Sequence, residues 1–239
     1  MVLTERLSHF TAWDIAALAL LIIASIVIGY IIENDFKNMK SVGTLMADYR
    51  REWMVHMVTR EPRVFDAQIL AMIRQATAFF ASASMIAIGG CLALLGNTDR
   101  LMGIAQDLTL ESDPIIVWEL KVLVILSFLA NAFFKFVWSN RLFGYCGVLM
   151  GAVPNDPADP RAKTRAEKAG EINITASRSF NRGLRSVYFA LAACAWLLGA
   201  GALIIATATT CLVLFRREFA SRSKDILMRP ECDRSDTQT

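Results

Sequence analysis

Residues 186–215 read SVYFALAACAWLLGAGALIIATATTCLVLF, thirty positions without a charge, bounded by Arg185 before and Arg216-Arg217 after. About 20 apolar residues cross the bilayer hydrocarbon as a helix, so this run is long enough to span it and to extend past one interface. It holds no proline, the usual reason for a helix to break. The block is therefore read as one transmembrane helix.

Three further blocks of this kind precede it. The chain has 239 residues, 55% of them hydrophobic, and a mean hydropathy of +0.42. A soluble chain is about 45–50% apolar even with glycine counted. Here the apolar residues gather in blocks rather than in amphipathic elements. The prediction is an all-α, polytopic membrane protein with cytosolic helical extensions. Its single membrane domain covers 1–227, with transmembrane helices over about 13–32, 75–95, 115–138 and 186–215, and the tail 228–239 is disordered. The lipid bilayer is the first partner this implies. A net charge of +3 is too small to suggest a nucleic-acid binder. The five cysteines show no C-x-x-C spacing, which argues against a disulfide framework or zinc site and for small packing residues.

In chain order, Trp13 and Tyr30 mark the two ends of the first helix, where aromatic rings favour the membrane–water boundary. Acidic and basic residues before this run, and Glu33 directly after it, suit a retained helix better than a cleaved signal. In the connection 33–74, Val42, Leu45, Met46, Tyr49, Trp53 and Met57 recur at helical spacing, with Arg50, Arg51 and Arg60 read as off the apolar line. This amphipathic helix either lies on the bilayer surface or packs on other helices of the chain or of a neighbour. Asp48, Glu52 and Glu61 dilute the basic face that lipid would select and favour packing. Pro62 breaks the pattern. The second membrane helix begins near Arg63 and is rich in Ala, Ser and Gly. Such a face is either a packing seam, within or between chains, or a pore wall. The connection 99–113 is acidic, and Asp113-Pro114 reads as a helix start.

The third helix alone carries charges: Glu119, Lys121 and Lys135. Intramembrane charges flag function by default, but both lysines sit near enough to an interface to snorkel. Ser127, Asn131 and Lys135 are one turn apart on one face. Together with Lys121 they are the candidate polar pathway or interhelical network. Val153 to Pro160 is a proline-rich turn, and Asp159-Pro160 starts a basic helix that runs into the fourth span.

Lysines and arginines number fifteen in the two long connections, 33–75 and 139–185, against one each in the N-terminal tail and the 99–114 connection and six in the C-terminal tail. The positive-inside rule puts both long connections in the cytoplasm. With four spans, both termini then lie outside, and the six tail residues conflict with that placement.

Neither His9 nor His56 has a carboxylate or cysteine at ligand spacing, and no nucleotide-binding, metalloprotease or nucleophile-elbow motif occurs. No catalytic, cofactor-binding or metal-binding residue is assigned, and no cofactor is expected. Several segments resemble the uncharacterised bacterial and plant integral membrane proteins of the domain of unknown function 599 family: Arg50-Arg-Glu-Trp-Met54, Phe79-Phe-Ala-Ser-Ala-Ser84, Lys121 within Glu-Leu-Lys-Val-Leu, Phe133-Phe-Lys-Phe-Val-Trp-Ser-Asn-Arg141 and Gly183-Leu-Arg-Ser-Val-Tyr-Phe189. The resemblance covers nearly the whole chain. It implies a four-span membrane fold and no activity or substrate. The expectation is a non-catalytic, self-associating inner-membrane (plasma-membrane) module that conducts an ion or small solute. The alternative is a scaffold acting through its cytosolic helices.

Overall fold

The computed structural model describes residues 10–34, 40–97, 103 and 114–229. The described elements are α1 (Ala12–Glu33), α2 (Val42–Met57), α3 (Val64–Leu95), α4 (Ile115–Gly151), α5 (Pro160–Cys194), a 3₁₀ turn (Ala195–Leu198), α6 (Ala200–Phe219) and α7 (Arg222–Leu227). Among the described residues there is no strand, and the fold is all-α. Four stretches are long and apolar enough to cross a membrane: Ala12–Glu33, Val64–Leu95, Ile115–Gly151 and Ala200–Leu227. Their outer surface suits lipid rather than water, since Ile23, Ile26, Ile86, Ile205 and Leu212 are each more than half exposed. The N-terminal tail with His9, the acidic connection 99–113 apart from Gly103, and the tail from 230 onward lie outside the described residues.

The fourth predicted helix needs correcting. The block 186–215 is not one helix. α5 carries on to Cys194, tightens into the 3₁₀ turn and ends at Gly199, whose φ of 114° and ψ of 169° only glycine adopts readily. The Gly199 N–H donates to the Trp196 carbonyl at 2.9 Å, and the Gly199 carbonyl accepts from Leu203 N–H at 3.2 Å, so one glycine closes the incoming turn and opens α6. α6 then runs back along α5, and Arg217 Nη1 donates to the Tyr188 hydroxyl at 3.0 Å. The turn is pinned to the start of α1, where Trp196 Nε1 donates to Asp14 Oδ1 at 2.8 Å. Asp14 also completes a capping box with Thr11, so its second oxygen is used as well. The far end of α6 therefore lies beside the start of α2, and Glu218 shares a cleft with Ser41 and Gly43. This corrects the placement of the tail. The chain leaves α6 at the end of the bundle where the long connections lie, not at the end where α1 begins. The five basic residues from Arg216 to Arg229 thus join the connections, and the charge conflict disappears.

α4 and α5 form the antiparallel spine. Serine hydroxyls of α5 and α4 reach backbone carbonyls on the other helix: Ser186 to Phe128 at 2.7 Å, Ser179 to Lys135 at 2.9 Å, and Ser139 to Ala176 at 2.7 Å. Such contacts need close backbones, which small side chains permit. Gly183 is the tightest point. A Cβ there would sit 2.6 Å from the Phe136 ring, which is fully buried and packs against Phe80 and Phe180.

The spine carries two cores. In the lipid-facing half, Ala17, Leu21, Ile125, Phe189, Trp196 and Leu203 pack together. In the connection half, Met54, Met57, Phe143, Cys146, Met150 and Ala166 do so. With 37 and 35 residues, α4 and α5 are about 55 and 52 Å long, well beyond the roughly 30 Å of hydrocarbon. The amphipathic α2 packs on the connection half of α5. Arg50 is not off the apolar line as read from the sequence: it lies one turn before the fully buried Met54 and three residues after the buried Ala47. Asp66 anchors the next turn. Its carboxylate is fully buried, accepts from Trp53 Nε1 at 2.7 Å and pairs with Arg60. The proline-rich turn falls where the sequence places it: Asp159 caps α5, accepting from Arg161 N–H at 2.8 Å, with Pro160 first in the helix.

The Gly183 contact predicts that Gly183→Ala lowers thermal stability in mild detergent by about 1–3 kcal/mol, the usual cost of overpacking. Gly183→Ala with Phe136→Leu should recover most of it. A neutral single variant would show that α4 and α5 do not approach as described.

Candidate functional site

The polar candidates of α4 are not drawn into one site. Lys121 is buried at the Gly199 end, its Nζ 4.9 Å from the Trp118 ring and 6.0 Å from that of Trp196. Lys135 lies fourteen residues further along the helix, about 21 Å away along its axis. Asn131 Nδ2 donates to Ser186 Oγ at 3.0 Å, and Ser186 passes the bond on to the Phe128 carbonyl. Ser127 is exposed and bonds its own helix at Val124. Lys135 is half-buried and contributes its carbonyl to Ser179. Asn131 thus belongs to the α4–α5 seam, while Lys121 belongs to an aromatic cluster beside Asp14.

The polar side chains converge elsewhere. A narrow cleft of about 40 Å³ opens at the connection end, between the end of α1, the start of α2, the middle of α5 and the end of α6. It widens outward into a space of about 360 Å³ past Arg217, Ser221 and Ser223. Glu33 forms its inner corner. This last residue of α1 takes a two-point bond from Arg182, with Nε at 2.9 Å and Nη2 at 2.5 Å, and a second ion pair from Arg185. The pairing raises the Arg182 pKa, chiefly through that hydrogen bond.

Ser41 caps α2 by accepting from Thr44 N–H at 3.2 Å, which turns the first turn of the helix toward the cleft, where Gly43 and Thr44 form its wall. Helix starts leave N–H groups without intrahelical acceptors and favour negative charge. Arg50 lines the floor. Its Nη1 donates to Asn173 Oδ1, but its Nε is buried with no partner, and no described carboxylate pairs with it. Burial draws its pKa below the usual arginine range. Opposite stands Glu218, whose Oε2 is likewise buried and unbonded. Arg178 and Asn181 of α5 complete the lining.

A family model described as protein of unknown function, DUF599, matches residues 16–223. The chain belongs to this family. No curated protein and no solved structure matches this DUF599 chain significantly. The match runs through every wall of the cleft, from the end of α1 to Ser221.

Sequence reading missed Arg50 and Glu218 for separate reasons. The Ala47–Arg50–Met54 spacing does put an arginine on the buried face, so the signal was present. Glu218 follows the block 186–215, which a single straight helix carries away from Arg50, and only the reversal at Gly199 brings the two to one cleft. A cavity of about 280 Å³ at the opposite end is apolar apart from Asp14, with Phe10, Leu18, Val124 and Trp196 in its walls.

Proposed function

We propose that this protein is a non-catalytic membrane scaffold that holds a rigid helical platform against the bilayer. The observation that carries this reading is the second core: α4 and α5 extend far past the hydrocarbon and are packed there by α2 and the start of α3 around Phe143, Met54 and Met150. The lipid-facing half is filled with large side chains such as Trp196, Phe189 and Leu21, which favours a scaffold over a conduit within one chain. The candidate polar stripe Ser127, Asn131 and Lys135 does not line the clefts at either end. Self-association is a second reading, favoured by α3, of whose apolar window only 6% is buried.

In this reading the platform faces the cytoplasm. Five segments then traverse the bilayer: α1, α3, α4, the last part of α5 with its 3₁₀ turn, and α6. The basic residues of the connections and of the tail lie together on the cytoplasmic side, as the positive-inside rule requires.

Two measurements test this. Reporter fusions after residue 229 and within the 153–159 turn should both report the cytoplasm, and reports from opposite sides would contradict the five-segment path. Proteoliposomes containing the full chain should release chloride and potassium no faster than protein-free vesicles. Release that scales with protein content and falls on Lys135→Ala would contradict the scaffold reading in favour of conduction.

A further inference from the structure

The connection-end cleft is lined by two half-buried charged side chains of opposite sign, each with one atom left unbonded. Arg50 Nε is a donor and Glu218 Oε2 an acceptor, and each is buried without a partner among the described residues. Both side chains line the same cleft, yet they do not form an ion pair with each other. A charge enclosed without a counter-charge is expensive, and native structures leave few buried polar groups unbonded. The lining mixes apolar Ile32, Ala47 and Ile174 with polar Ser41, Ser177 and Asn181. A ligand that matches both ends brings an oxygen acceptor to the arginine side and a hydrogen-bond donor to the glutamate side, and charge-assisted bonds there are the strongest.

We propose that this cleft binds a phosphate ester carrying a primary ammonium, the chemistry of a phosphoethanolamine lipid headgroup. The phosphate lies between Arg50, Arg178 and the first turn of α2. Guanidinium groups and helix starts are the two commonest protein partners of such an oxyanion. The ammonium lies against Glu218, whose carboxylate accepts its N–H groups. Arg185 is not needed for this, since Glu33 already neutralises it.

Position selects the lipid over a soluble ester. The cleft opens where the charge-free run of α1 ends, at Ile32-Glu33, and where α6 passes from Phe215 to Arg216. That is headgroup depth for a helix bundle of this length. The inference is independent of the scaffold reading, because a conducting or self-associating protein would hold the same lipid.

The test is native mass spectrometry of the full chain, delipidated in mild detergent and titrated with three lipids of matched acyl chains. Phosphatidylethanolamine should bind about tenfold more tightly than phosphatidylcholine or phosphatidylglycerol. The choline headgroup has no N–H to offer Glu218, and the glycerol headgroup has no cation. Glu218→Gln should erase that preference while leaving phosphatidylglycerol binding in place. Arg50→Ala should weaken all three lipids about tenfold. If that variant does not fold, Arg178→Ala, on the exposed rim, should weaken all three to a lesser extent.

Equal retention of the three lipids by the wild type, unchanged by Glu218→Gln, would mean nonspecific surrounding lipid and overturn the proposal. Glycerophosphoethanolamine and inorganic phosphate form the soluble arm. Either one displacing the lipid at equal concentration would overturn the assignment to a headgroup held in the bilayer.

Discussion

A helix that reverses must find partners for the backbone groups it frees, and hydrocarbon offers none. The reversal at Gly199 meets this requirement with local means. The 3₁₀ turn tightens the last carbonyls of α5, the glycine N–H and carbonyl each take a bond at the corner, and Trp196 fastens the corner to the capped start of α1 through Asp14. The corner depends on a backbone conformation that a residue with a Cβ would resist. If α5 continued straight, α6 would not lie against α1 and α5, and the cleft would lose the wall that carries Glu218. The end-to-end arrangement of the protein follows from this one residue.

The remaining architecture follows from how closely α4 and α5 approach. Hydroxyl-to-carbonyl bonds from Ser139, Ser179 and Ser186 tie the pair along its length, and Gly183 makes room for Phe136 midway. This spine is common to both cores. The same two helices therefore run through both cores without a change of partner. That continuity holds the polar cleft at a fixed place along the bundle, with walls from four helices that are distant in sequence.

The class of fold was legible in the sequence because it rests on composition over long windows. Four apolar blocks and the charge distribution around them suffice for an all-α membrane chain, and the Asp159-Pro160 start and the packing of α2 rest on local chemistry that short segments carry. The reversal was not read, although two signals pointed to it. Thirty residues as a straight helix would extend about 45 Å, well past the hydrocarbon, and the Gly199-Ala200-Gly201 centre offers the backbone freedom a corner needs. The conflicting count of tail arginines was the other sign. The cleft was less legible still. Arg50 could be found from its spacing to Met54, but Glu218 becomes its neighbour only through the tertiary path of the chain. The charges at Lys121 and Lys135 stand out in the apolar block of α4, yet their side chains serve separate neighbourhoods.

The folding-back of α6 is tested most directly by a distance between Tyr188 and Arg217. Spin labels at these two positions, in a full-length variant cleared of its native cysteines and reconstituted in nanodiscs, report it by pulsed electron paramagnetic resonance. The two side chains share a hydrogen bond of 3.0 Å here, so the label separation should be short, in the range set by the labels themselves. A distribution centred near 43 Å, the length of twenty-nine residues of unbroken helix, would contradict the account.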